Sequence, residues 1–470
     1  MVLAALNRTC PGEYAYSIRR RYAPADRTGG APESDSWERR ISMVELNRRR
    51  VIAGIGLAAG SAMAAPLLGG SAGAAADDAD PDALLKAGRF DEAARGYEEI
   101  LKKDPDNAHA ARQRGYVALL SNRFADAEKY LTSAVRLAPD DGQAKKWLVD
   151  CYLRQDDYPP AVPLLRALGK EAEAKWYEAV RGRPYQVSVG SSGRVPWLTM
   201  DPLPLIEASV NGGPPKQFLW DTGNTEGVGL TVKMAEEAGL KAVSQIKVNG
   251  GGEQGVDMFL GVLDSFRMGD VELRNIPVSW MDLGGSGDSN PGGLGGQVFS
   301  HFLSTLDWAN AAFTFRPRTA GQARTARARA ARAGSQPLPM WIDGNIPHTL
   351  GSINGSGPQV VSINTGQEGG MAGDITLATA DRLKVRVDRS RPMYGATHGE
   401  VLKGYPCYPD EARIGSAVAR EIYWSAGEKM VDPTPFDVLA AFGHTFFKPY
   451  ALTLDFAQMN VYITGGESSS

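Results

Sequence analysis

The chain has 470 residues, more than one typical domain holds, and 43% of them are hydrophobic, which excludes global disorder. Lys+Arg at 51 nearly balances Asp+Glu at 54, a formal net charge of -3, so no strong field of either sign exists to recruit nucleic acid or an anionic membrane. Three cysteines (Cys10, Cys151, Cys407) and five scattered histidines form neither a disulfide framework nor a metal-ligand spacing, and no metal is expected.

Residues 1–42 are polar and Arg-rich, without apolar periodicity, and read as a disordered upstream extension. Residues 43–76 then run in the order of an export signal: Asn47-Arg48-Arg49-Arg50, an apolar stretch from Ala53 to Leu68, and Ala74-Ala75-Ala76 directly before Asp77-Asp78. The consecutive arginines and the Gly/Ala-rich apolar core resemble a twin-arginine signal, which implies an exported protein, extracellular, periplasmic or in the cell envelope. Cleavage near Asp77 would leave no membrane span. The alternative is one uncleaved transmembrane helix, against which the Gly and Ala content and the A-x-A site both count. Nothing upstream of Met43 contributes to the signal, which leaves Met1 and Met43 as competing starts.

From 82 to 180 the text is helical and periodic. Phe90 and Phe124, followed by Ala93 and Ala127 and closed by Pro105 and Pro139, repeat at 124 − 90 = 139 − 105 = 34 residues, and Tyr158 with Ala161 continues the series. Aromatic, small and terminal-proline positions at this period resemble the tetratricopeptide repeat. The alanines leave room for a partner helix and the prolines stop each second helix. Lys175 to Val180 is expected to supply part of a capping helix. Such arrays present surfaces to protein partners; the alternative is a prefix that packs on the next domain.

Beyond Pro184 the pattern turns to short β-branched and aromatic runs between glycine-rich turns. Ile206-Glu207-Ala208-Ser209-Val210 before Asn211-Gly212-Gly213 signals a hairpin, and the next strand, Gln217-Phe218-Leu219-Trp220, ends in Asp221-Thr222-Gly223. A small-residue segment (227–231), a helix-like stretch, the glycine run 249–252 and Gly293-Leu294-Gly295 follow. This order resembles one lobe of a retropepsin-like aspartic peptidase, over 185–317. The markers then recur over 337–465: Asn354-Gly355, Asn364-Thr365-Gly366 and Phe442-Gly443. The offsets are 364 − 221 = 143 for the loops and 443 − 295 = 148 for the glycines. The predicted fold is therefore multidomain, an all-α tetratricopeptide-like domain followed by a mainly-β, two-lobed aspartic-peptidase-like unit. Between the lobes, 318–336 carries Arg324, Arg327, Arg329 and Arg332 among alanines and reads as a solvated, proteolysis-sensitive linker or an exposed helix.

The resemblance implies a site built from Asp221, Thr222 and Gly223 facing Asn364, Thr365 and Gly366. It also implies flap hairpins near Gly251 and Gly252 and near Tyr394; Trp220, Tyr394 and Tyr405 are candidate pocket aromatics, with core packing as the other reading of each. Such enzymes use two carboxylates sharing one proton, one activating water and the other hydrogen-bonding the scissile carbonyl. Here the second carboxylate is an amide, Asn364. Three readings stand: a peptidase, using Asp221 alone or from two chains; a module that binds a peptide or another extended ligand; or a cleft adapted to non-peptide chemistry with Asp221 as lone acid/base. No cofactor is implied. The expected partners are a peptide in the cleft and a protein on the repeats, with no nucleic acid.

Overall fold

The computed structural model describes residues 79–465 apart from 192, 249–254, 283–289, 368–369, 398–399 and 431–433. The expected extension (1–42) and export signal (43–76) therefore lie outside the described residues. Among the described residues no helix is long and apolar enough to cross a membrane.

Seven helices open the described chain: α1 (Pro81–Lys86), α2 (Phe90–Lys103), α3 (Ala108–Leu120), α4 (Phe124–Leu137), α5 (Gly142–Leu153), α6 (Tyr158–Ala167) and α7 (Glu171–Ala179). The 34-residue period has a conformational basis. Gly88, Asn122 and Asp156, spaced 122 − 88 = 156 − 122 = 34, take positive φ of 74°, 53° and 60°. Gly, Asn and Asp are the residues that tolerate this left-handed region. At each, the following N–H closes the preceding helix: Arg89 donates to Leu84 O, Arg123 to Ala118 O and Asp157 to Tyr152 O, all at 2.9–3.0 Å. Ala93, Ala127 and Ala161 are each fully buried, as close packing of paired helices requires.

The remainder forms two β lobes joined through a shared six-stranded sheet. In that sheet the closing strands Phe302–Asp307 and Tyr450–Asp455 pair antiparallel, with Thr305 opposite Thr453. Their hydroxyls meet at 2.8 Å. Leu303 faces Asp455 and Asp307 faces Ala451, so the register is symmetric about the threonine pair. One apolar core runs through both lobes, from Trp220, Phe299 and Phe313 to Trp424, Phe442 and Phe447.

Of the two expectations for residues 318–336, the helix is the one that forms. Ala320–Arg332 is a helix capped by the Thr319 hydroxyl, and Ala323 and Ala330 are buried on one side while the arginines face outward. It packs on the strand Asn460–Gly465. Two alanines seven residues apart suffice for a narrow apolar stripe, which the surrounding charges hide from a reading based on composition.

The array docks on both lobes. Phe90 lies against Trp341 and Phe436 with ring centroids 4.9 and 5.1 Å apart. Val360 and Phe436 of the second lobe belong to the array's own apolar cluster. Tyr116 donates to Asp343 Oδ1 at 2.9 Å, and Asn122 Nδ2 to Phe456 O at 3.3 Å. At the other end Trp176 Nε1 donates to Gly261 O at 2.6 Å in the first lobe, and His301 sits 3.0 Å from Asp156. Phe90 is 2% exposed, so Phe90→Ala should cost about 3–5 kcal/mol. Denaturant melts followed by tryptophan fluorescence should register that loss; an unchanged midpoint would show that the array and second lobe do not share a core.

Candidate active site

Each lobe seats its loop in the same way. The strand Lys216–Trp220 runs parallel to Gly292–Leu294, and the Asp221 N–H donates to Leu294 O at 3.0 Å. In the second lobe Ser356–Ile363 runs parallel to Ala441–Phe442, and the Asn364 N–H donates to Phe442 O at 2.9 Å. A second strand flanks each: Val228–Thr231 beside Gly292–Leu294, and Gly373–Thr376 beside Ala441–Phe442. Thr231 and Thr376 then cap the short helices that follow.

The loops interlock through their threonines. Thr222 N–H donates to Thr365 Oγ1 at 3.1 Å, and Thr365 N–H to Thr222 Oγ1 at 3.0 Å. Thr222 Oγ1 also donates to Ile363 O at 2.7 Å. Both threonines are fully buried, and each N–H finds its acceptor on the opposite loop.

The glycines bring the two polar side chains together. An ideal Cβ on Gly366 would fall 2.1–2.3 Å from the Asp221 carboxylate, and one on Gly223 would fall 2.4 Å from the Asn364 amide. Each side chain thus lies on the bare Cα of the opposite loop. Asp221 Oδ1 accepts from Gly223 N–H at 2.7 Å, and Asn364 Oδ1 accepts from Gly366 N–H at 3.2 Å. With its oxygen engaged, Asn364 has its Nδ2 hydrogens left to offer. Burial holds the Asp221 carboxyl above the ordinary value of 3.8, opposed by the N–H groups of Gly223, Gly366 and Asn224, which favour the ionised form.

The other expected residues separate. Gly251 and Gly252 lie outside the described residues; the strands before and after them pair, with Val248 opposite Val256. Tyr394 lies on the second hairpin (Met393–Thr397 with Glu400–Tyr408) and is 55% exposed. Tyr405 stands on the returning strand with the Lys403 ammonium 5.3 Å from its ring. Trp220 does not line a pocket. It is fully buried, stacked between Phe299 and Phe313 at 3.7 and 3.9 Å. Its strand is covered on both faces at Phe218–Trp220, so no alternation marks which side chain turns to the cleft.

Sequence reasoning passed over Glu226 and Ser279. Ser279 Oγ donates to Glu226 Oε2 at 2.9 Å, and both line an open pocket beside the Asp221 loop with Asn224 and Gly229. The available signal was a carboxylate 226 − 221 = 5 residues after the loop aspartate.

Comparison with known proteins agrees with this geometry. Residues 206–298 match the family model described as aspartyl protease. Residues 82–141 and 118–180 match two tetratricopeptide repeat models. The chain joins tetratricopeptide repeats to an aspartyl-protease domain. The protease match ends within the first lobe; the second lobe's kinship rests on its duplicated strands and loop. No curated protein matches the chain. Two solved structures align, "MamA RS-1 ArsTM double mutant" at 20% identity and "Crystal structure of MamA protein" at 27%, both with a TM-score of 0.19. The alignments cover 21% and 20% of this chain and only 57% and 55% of those.

Thr222→Val keeps the shape of the aspartyl-protease loop but removes the hydroxyl that serves Thr365 N–H. It should destabilise by about 1–3 kcal/mol, read as a lower urea midpoint; an equal midpoint would deny that the threonine exchange holds the lobes.

The raised Asp221 carboxyl gives a second expectation. A carboxyl raised on folding contributes stability below its unfolded value, and that stability is lost as pH rises from 3.8 through the raised value. Asp221→Asn should therefore flatten the fall in melting temperature within that window, and gain on the parent at pH 7. Parallel pH profiles of the two proteins would sink this reading.

Proposed function

We propose that this chain is an exported, aspartyl-protease-like protein that grips an extended peptide in the cleft between its lobes, without ordinary two-carboxylate hydrolysis. The observation that carries this reading is the pairing of Asp221 and Asn364 over the bare glycines. The amide occupies the position of the second acid and keeps its backbone bond to Gly366, so the cleft keeps its form. It cannot deliver a proton to a leaving amine. Loss of an acid/base partner removes about 10²–10⁴-fold in rate. The flap hairpins that the resemblance implies would supply strand edges for an extended peptide to pair with. Export rests on the arginine run, apolar stretch and A-x-A site of 43–76.

A second reading, non-peptide chemistry with Asp221 as lone acid/base, draws on its raised carboxyl, which brings proton uptake nearer neutrality.

A peptide-library cleavage assay over roughly pH 3 to 7, with equilibrium binding of the same library, separates these readings. The parent should bind without cleaving, Asn364→Asp should gain cleavage, and Asp221→Asn should retain binding. Cleavage by the parent that vanishes in Asp221→Asn would overturn the non-hydrolytic reading. Failure of the library to bind would leave the lone acid/base reading in the lead.

A further inference from the structure

The helix Ala320–Arg332 contributes no residue to the site described above, and its charges are unlike those of the helical array. From Trp308 to Ile342 the chain holds six arginines, no lysine and no Asp or Glu, although its formal net charge is -3. Arg318 donates to Ser300 O, and Arg316 and Arg329 have interactions of their own. Arg324, Arg327 and Arg332 are exposed and meet no carboxylate among the described residues. Burial raises the Tyr462 hydroxyl, and the nearby Arg327 opposes that rise. Arg324, Ala328 and Arg332 follow at four-residue steps, so the two arginines share a stripe about 12 Å long with Arg327 on its flank.

Nothing in the packing of this helix needs these arginines. Its hold on Asn460–Gly465 comes from Ala323 and Ala330. Like charges three residues apart, as in Arg324 and Arg327, work against a helix. The helices of the array answer such charges locally: Arg89 pairs with Glu92, Lys102 with Glu99 and Lys170 with Glu173.

We infer that the exposed face of this helix is a docking surface for an acidic stretch of a second protein. Each guanidinium presents a planar fork that fits a carboxylate through two parallel hydrogen bonds, a geometry lysine lacks. A lipid surface fits less well. The residues between the arginines are alanine and threonine, with no bulky apolar group to enter a bilayer. Three free cations also fall short of the clusters of about four to eight that hold a protein to anionic lipid. The inference shares no residue with the cleft and does not rest on the peptide-binding reading.

Fluorescein anisotropy on the full chain tests this with a short peptide of alternating glutamate and glycine, and with its glutamine counterpart. The glutamate peptide should bind and the glutamine peptide should not. Arg324→Gln, Arg327→Gln and Arg332→Gln together should weaken binding about tenfold, the summed effect of three exposed ion pairs. Removing the same charge at three scattered exposed positions, by Lys103→Gln, Lys241→Gln and Arg382→Gln, should change it less than about twofold. Glutamine has nearly the helix propensity of arginine, so the arginine variant should melt at or above the temperature of the parent. A lower melting temperature would show the arginines to be structural and overturn the assignment. Equal losses in the two triple variants would overturn it as a response to net charge alone. Failure of the glutamate peptide to bind, or binding that the arginine variant keeps, would overturn it as well, the latter by placing the peptide elsewhere, the cleft included. Tighter binding to mixed phosphatidylcholine–phosphatidylglycerol vesicles than to the peptide, lost in the arginine variant, would overturn the protein partner in favour of a membrane surface.

Discussion

Thr222 and Thr365 each place a hydroxyl where the other's backbone N–H needs an acceptor, in a region closed to water. Neither lobe can satisfy its own loop. Parting the lobes breaks both bonds at once, and removing either hydroxyl with the lobes closed leaves a buried N–H unsatisfied, at a cost larger than the net value of a typical hydrogen bond. That constraint fixes everything adjacent to it. Asp221 and Asn364 precede the threonines by one residue and Gly223 and Gly366 follow by one, so locking the threonines presses each polar side chain onto the opposite glycine. The Thr305–Thr453 pair in the shared sheet repeats the principle with two side-chain hydroxyls.

Within this frame an amide for a carboxylate is a change of chemistry more than of structure. Two carboxylates at such a site cannot both ionise, and their mutual repulsion is a standing cost. Asn364 removes that repulsion, keeps the acceptor for Gly366 N–H and contributes two donor hydrogens. What disappears is the shared proton. The site becomes a single buried carboxyl beside a neutral donor, an arrangement suited to holding a carbonyl or hydroxyl but short of one proton-transfer partner for amide cleavage.

Much of this was legible in the sequence because it rests on local conformational demands. The 34-residue period survives as residues that accept positive φ, and the duplication survives as loops whose glycines have no substitute at 2.1–2.4 Å. The unreadable features are those set by distant neighbours. Trp220 lies in a strand buried on both faces, so its side is chosen by Phe299 and Phe313, far along the chain. The helix Ala320–Arg332 owes its place to two alanines within a charge-rich run. The pocket beside the Asp221 loop is lined by Glu226 and Gly229 from one segment and Ser279 from another, which the fold alone brings together.

The placement of the helical array bears on what it does. Tetratricopeptide repeats commonly meet other proteins; here α2 and α3 meet the second lobe of their own chain, while Asp156 and α7 meet the first. The contact includes a polar centre. Asp343 accepts from Tyr116, its carboxyl is raised by burial, and the same burial pushes Asp150 up to about 6 and Arg154 down to about 10. Removing the array would leave Asp343 without its donor and Phe436 without Phe90, so the second lobe is not complete by itself. An element fastened to both lobes constrains the distance between them in addition to the threonine pairs and the shared sheet. Any partner protein of the repeats must therefore use faces other than those already occupied, and a partner that loosened the Phe90 or Trp176 contacts would act on the cleft through the spacing of the lobes.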